Sequence, residues 1–191
     1  PRLPLFHKAY PDIELRISTN NNRVNLAADG LDFAIRFGDG SWQGTDNAPL
    51  LPGAFSPACA PDIAARLRDP LDLGRETLLC SYREDEWLRW FEAAGRHCPP
   101  IKGIVFDSSV TMANAAVQGA GVALLPVSMF SRELACGQLV QPFASTVDVG
   151  RYWLSARRRR QNSQAMTSFA DWLRAEAARS DEALERAPIT S

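Results

Sequence analysis

Two hydrophobic periods alternate along this chain, and that alternation limits its fold more than any other feature. Stretches with every second residue apolar are interleaved with stretches whose apolar residues recur every three or four positions. Leu3, Phe6 and Tyr10 mark one face of a short helix closed by Pro11. Ile13, Leu15 and Ile17 alternate with Glu14, Arg16 and Ser18, which predicts a half-buried strand. A helix is expected from Arg23 to Asp29 with Gly30 just past its end, then a strand from Leu31 to Phe37. Leu50 to Ala60 reads as extended, and Pro61 suits the first turn of a helix reaching about Leu67. Strands follow at Thr77 to Ser81, Gly103 to Phe106, Gly121 to Leu125 and Tyr152 to Ser155. Between them lie helices at Asp85 to Ala94, Ser109 to Gln118 and Val127 to Ala135, the first with Trp87, Trp90 and Phe91 on one face and Gly95 as its stop. A long amphipathic helix, Ser163 to Ala178, presents Met166, Phe169, Trp172 and Leu173, and the tail from Ser180 to Ser191 lacks periodicity, which predicts a mobile end. The pattern predicts an α/β protein with a largely parallel sheet and ligands at the carboxyl ends of its strands.

Composition narrows the function. No run approaches the roughly 18 apolar residues of a membrane span. A net charge of −1 argues against this segment gripping nucleic acid, because phosphate contacts demand a basic surface. The opening Pro1-Arg2-Leu3-Pro4 has neither an initiator methionine nor a signal peptide, so the chain reads as a piece of a longer one. Four cysteines at 59, 80, 98 and 136 show no CxxC, and the expectation is reduced core thiols in the cytoplasm, with one disulfide as the alternative.

Equipment for catalysis is absent from the motifs. There is no GxSxG elbow, no HExxH and no GKS or GKT phosphate loop. His7 and His97 read as surface or capping residues, and no Cys/His cluster has zinc-ligand spacing. Gly38, Gly40 and Gly44 resemble a dinucleotide fingerprint but miss its third glycine by one position and do not lead into a helix. The chain therefore reads as no enzyme, without cofactor or metal. Arg157 to Arg160, with acids close behind, reads as a solvated connection.

Binding equipment is better represented. Two strand-to-helix junctions carry short polar runs, Ser18 to Asn22 before Arg23 and Asp107-Ser108-Ser109 before Val110. The first turn of a helix exposes unpaired N–H groups that suit a carboxylate or phosphate, although Ser, Asn and Asp in such places also serve as simple caps. Two such junctions facing one another across a cleft would clamp an anionic ligand. Tyr152 and Trp153 must leave opposite faces of their strand, one toward the core and one toward a cleft.

With these stretches in view, the order TNNNRV, GLDFAIRFGDGSWQGT, SYREDEW, FDSS, QGAGVALLP, GQLVQPF and GRYWL resembles the effector-binding domain of LysR-type transcriptional regulators. The resemblance runs from about Pro1 to Leu173. Within that family it is most similar to the AmpR-type regulators of chromosomal β-lactamase, on Thr19 to Val24, Ser81-Tyr82-Arg83 with Glu86-Trp87, and Arg151 to Leu154. The glycine-cleavage regulators are close relatives, and a solute-binding protein of a transport system is the rival outside regulation.

What the resemblance implies is a periplasmic-binding-protein-like fold of type II, with two α/β subdomains joined by two crossover strands. Subdomain I would comprise residues 1–49 and 156–191, and subdomain II residues 50–155. The family places a GTF-containing strand just before the residues matching Pro1 to Leu5, and a DNA-binding helix-turn-helix further upstream. Both are expected to be missing here, with loss of stability for the isolated fragment and DNA contact only through the absent part. The implied effector is a small anionic muropeptide. Its implied contacts are Val24 and Asn25 on subdomain I, Ser109 on subdomain II and Tyr152 as an aromatic wall, with Asn21 and Ser108 as further candidates. Relatives usually carry an acid where this chain has Asn25. Pairing into dimers, and tetramers in the full-length protein, is also implied.

Overall fold

The computed structural model describes residues 2–19, 24–83, 85–158 and 161–185. Its elements in chain order are α1 (Leu3–Ala9), β1 (Phe33–Gly38), β2 (Thr45–Ala58), α2 (Pro61–Ala64), β3 (Leu78–Ser81), α3 (Glu86–Ala93), β4 (Val105–Phe106), α4 (Ser109–Val117), β5 (Val122–Pro126), α5 (Ser131–Ala135), β6 (Val147–Arg157) and α6 (Gln164–Glu185). The chain divides into two compact units. The described residues up to Pro52 together with those from Arg151 onward form the first, and Gly53–Gly150 form the second. Both β2 and β6 run from one unit into the other.

In the first unit β1 pairs antiparallel with β6, Phe37 opposite Tyr152 and Arg36 opposite Trp153. Its core is aromatic. Phe6 of α1 is 1% exposed and meets Phe169 and Trp172 of α6 edge-on, with ring centroids 5.4 and 4.9 Å apart. Removing so large a buried ring costs about 3–5 kcal/mol, so this contact is what holds α1 on α6. Arg2 adds a second tie, donating to the backbone carbonyl and the carboxylate of Glu176.

In the second unit the ladder order is β2-β5-β3-β4. β3 is parallel to both β4 and β5, while β2 is antiparallel to β5. The buried face of α4 (Met112, Ala113, Ala116) packs with Leu79, Ala123 and Leu125. On α3 the predicted triplet Trp87, Trp90 and Phe91 is buried, and both indoles find carbonyls, Trp87 at Leu79 (3.0 Å) and Trp90 at Ser145 (2.9 Å). That satisfaction is what lets two tryptophans enter a core. Gly103 must be glycine, because a Cβ there would lie 1.8 Å from the carbonyl oxygen of Leu78.

Several expectations need correction. Residues 13–19 have no strand assignment, and among the described residues no strand pairs with them; Ile17 stays 66% exposed. Period two makes a strand only where a neighbour supplies hydrogen-bonding groups. The helix expected from Arg23 to Asp29 is a run of turns at residues 26–30, and Arg23 lies outside the described residues. The sheet is mixed rather than largely parallel, because β2 and β6 return against their neighbours. α6 continues to Glu185, into the stretch read as aperiodic tail. The four cysteines are free thiols, but Cys136 is exposed rather than in the core. Burial, with Glu76 and Asp62 nearby, pushes the Cys59 thiol up to about 12, which keeps it protonated and inert. Among the described residues no helix is long and apolar enough to cross a membrane.

Candidate functional site

The serines singled out in the second unit lie where parallel strands end. β3 and β4 run side by side with Cys80 opposite Val105 and Ser81 opposite Phe106, so the residues that follow both strands emerge at one sheet edge. After β4 comes Asp107, then Ser108 as the N-cap of α4 and Ser109 in its first turn. Both serines are half-buried. The Ser108 backbone carbonyl accepts from Met112 at 3.0 Å, but its side chain makes no capping bond. The alternative reading of Ser108 as a plain side-chain cap is therefore not met in the structure. The first-turn N–H groups of α4 are not taken by that hydroxyl, and they carry the partial positive charge of the helix start.

Beside this junction, after β3, lies a group that sequence reasoning did not single out as functional. Glu86 is 2% exposed. Its carboxylate accepts from the Ser81 hydroxyl at 2.6 Å and from Arg83 at 3.2 Å. Arg83 in turn lies over the Tyr82 ring, 4.7 Å from its centroid, and donates to the Tyr82 hydroxyl at 2.9 Å. A buried carboxylate without partners would be strongly destabilising, so the serine and arginine are structurally required. The signal was present as Arg83 and Glu86 at a spacing of three, yet burial cannot be read from spacing.

In the first unit, Asn25 caps the turn that follows it. Its Oδ1 accepts from the N–H groups of Ala27 (3.1 Å) and Ala28 (3.2 Å), and its own N–H donates to Asp29 at 3.0 Å. The Asn25 carbonyl side of the amide is thus engaged locally. Val24 is tethered through its carbonyl, which accepts from Arg36 at 2.6 Å. Arg36 also lies 5.4 Å from the Trp42 ring centroid. This arginine inside an otherwise apolar strand was the overlooked sequence signal. Tyr152 packs against Phe37, ring centroids 4.9 Å apart, on the ladder face opposite that of Arg36 and Trp153. Trp153 instead donates to the carbonyl of Gly38 at 3.0 Å. Val24, Asn25 and Tyr152 thus belong to the first unit, Ser108 and Ser109 to the second, and Asn21 lies outside the described residues. Among the described residues no cluster of His, Cys, Asp and Glu is suited to a metal ion.

Comparison with known proteins gives a consistent answer. The LysR substrate binding domain family matches residues 1–178. The HTH-type transcriptional activator AmpR of Rhodobacter capsulatus is 56% identical over 178 residues, covering 93% of this chain and 62% of that protein. The chain therefore spans less than two thirds of that relative's length. Among solved structures, the effector domain of the transcriptional regulator AmpR of Pseudomonas aeruginosa superposes with a TM-score of 0.91 at 46% identity, covering 98% of this chain and 92% of that one. The Citrobacter freundii effector binding domain carrying three substitutions, a threonine to valine, a serine to alanine and a tyrosine to phenylalanine, gives 0.86 at 43% identity, covering 93% and 90%.

Proposed function

This chain belongs to the LysR substrate-binding domain family, with the periplasmic-binding-protein-like type II fold of its effector domains, and on that premise we propose that it is the ligand-sensing part of an AmpR-type regulator controlling β-lactamase expression in response to an anionic muropeptide. The work is binding rather than catalysis. It would be done in the cytoplasm, by a homodimer whose DNA contact lies in another part of the protein.

One observation carries the reading. The serine and the tyrosine replaced in the Citrobacter freundii domain are separated by the same number of positions as Ser109 and Tyr152 here. Both replacements delete a hydroxyl and little else. Ser109 stands at the start of a nine-residue helix beside first-turn N–H groups that favour a carboxylate. Tyr152 offers a ring and a hydroxyl on a strand. Val24, Asn25 and Ser108 are the further contacts in this reading, and Asn21 is carried only by the family resemblance. Exposed Ile104 and Val105 at the outer strand of the second unit, with exposed Val110 in the first turn of α4, supply apolar surface for pairing with a second copy.

Switching requires that the effector bind two states of the regulator unequally, since equal grip on both shifts nothing. The test is calorimetric titration of the full-length protein with an anhydro-muropeptide, with glycine as the comparison ligand. Wild type should bind the muropeptide and not glycine. Ser109→Ala and Tyr152→Phe should each weaken binding by about 3- to 10-fold, the worth of one hydrogen bond. Muropeptide affinity unchanged in both variants, or saturable binding of glycine instead, refutes the proposal.

A further inference from the structure

Two neighbouring positions of β1 are filled in the reverse of the usual order. Ile35, the apolar residue, is 58% exposed, while Arg36 beside it is half-buried. Burial of apolar surface alone favours the opposite arrangement, and a charge drawn partly out of water needs partners. The surroundings of Arg36 supply them. Its guanidinium donates to the Val24 carbonyl at 2.6 Å, a charge-assisted bond to a residue twelve positions back in the chain. It also lies 5.4 Å from the centroid of the Trp42 ring, within reach of a cation–π contact.

Trp42 is itself held. Its carbonyl accepts from the Thr45 hydroxyl at 3.0 Å, Thr45 bonds to the Asn47 side chain at 3.0 Å, and the Asn47 amide donates to the Gly40 carbonyl at 2.9 Å. A Cβ on Gly38 would lie 3.1 Å from the Trp42 ring, so the indole rests against the last residue of β1. The guanidinium is thus backed by a ring with little freedom of its own.

The turn at the other end of the Arg36 bond is closed by local contacts. The Asn25 side chain accepts from the N–H groups of Ala27 and Ala28, the Asn25 carbonyl accepts from Asp29 at 2.9 Å, and Leu31 donates to the Leu26 carbonyl at 3.0 Å. Bonds of this kind close a turn on itself without fixing where it stands. Leu26, 3% exposed, roots the turn in the core, but apolar burial has no direction. The Arg36 bond has one, and it falls on the residue next to Asn25. It therefore governs how Asn25 is presented.

We infer that Arg36 is a positioning residue of the effector site, holding the Val24–Asn25 turn in the binding geometry without touching the effector. The inference rests on the effector reading above and deepens it, because Arg36 is none of the contacts in that reading. A site whose supports are already locked binds without having to order them, and loss of a support loosens the contacts it carries.

The experiment is calorimetric titration of full-length protein with the anhydro-muropeptide, run beside urea unfolding. Arg36→Met keeps an aliphatic stem against Trp42 and deletes the donor. It should weaken binding by about 3- to 10-fold, the worth of one hydrogen bond. A role in folding alone would move the urea midpoint and leave the affinity of the folded protein unchanged. Arg36→Lys, which keeps a charged donor, should fall between Arg36→Met and wild type, and it carries the comparison if Arg36→Met does not fold. A double-mutant cycle locates the effect. In an Asn25→Ala background Arg36→Met should cost less affinity than in wild type; combined with Ser109→Ala, in the other unit, its loss should add in full. Wild-type affinity in Arg36→Met, or in Arg36→Lys where only that variant folds, overturns the inference and leaves the effector reading standing. Full additivity with Asn25→Ala does the same. A wild-type protein that binds no muropeptide refutes the effector reading itself.

Discussion

Replacing Asn25 with aspartate tests whether this residue faces an anionic effector, because its effects on stability and on charge separate cleanly. The Asn25 Oδ1 accepts two N–H groups of the following turn at 3.1 and 3.2 Å, and a carboxylate accepts the same two bonds, more strongly for being ionised. Against that gain stands Asp29, whose carboxylate already accepts from the residue-25 N–H at 3.0 Å. Two unit charges about 5 Å apart repel by about 0.8 kcal/mol in bulk water, and less at physiological salt. The two effects offset one another to within about 0.5 kcal/mol, so the urea unfolding curve should barely move. Asn25→Ala, which removes the acceptor, should cost about 1 kcal/mol. Binding should respond very differently. A ligand carboxylate about 6 Å from the new charge is repelled by about 0.7–2.8 kcal/mol for an effective dielectric between about 80 and 20, a 3- to 100-fold loss of affinity. Calorimetry of both proteins at low and high salt measures it, and the loss should shrink as salt rises. Equal muropeptide affinity in two equally stable proteins would mean that residue 25 is remote from the anion. A stability change above about 1 kcal/mol would mean that the capping geometry has been misread.

Three other perturbations test separate parts of the fold. Ser155 is fully buried and its hydroxyl has no partner among the described residues. Ser155→Ala should therefore stabilise the protein by about 1 kcal/mol in urea unfolding, and destabilisation would reveal a missing partner. Glu86→Ala removes the acceptor of both Ser81 and Arg83; with the Arg83 side chain 28% exposed, the loss should be about 2–4 kcal/mol. Adding Ser81→Ala to that variant should then change stability much less than Ser81→Ala does alone, and additive losses would contradict a coupled cluster. The Asp69 carboxyl is lowered from 3.8 to about 2, first by Arg96 and then by the Leu71 N–H. A depressed folded pKa means stability that is present above the ordinary value and lost as pH falls through about 2. Asp69→Asn should flatten this part of the acid unfolding curve, and an unchanged slope between pH 4 and pH 2 would refute the linkage.

The sequence alone determined what depends on near neighbours along the chain. Trp87, Trp90 and Phe91 share a helix face, and Tyr152 and Trp153 take opposite faces of a strand, because each follows from a local period. The tertiary structure alone decided what depends on partners remote in sequence. Ile13, Leu15 and Ile17 had the right alternation, but alternation does not name a neighbouring strand. For the same reason, the antiparallel returns of β2 and β6 were not legible. Asn25 became a cap because its turn closed on it, and Ser108 kept the cap position without its hydrogen bond. The burial of Glu86 and the hydrogen bond from the Trp153 indole to the Gly38 carbonyl arise from segments remote in sequence converging. A one-dimensional pattern records which face a side chain takes; only packing decides what that face meets.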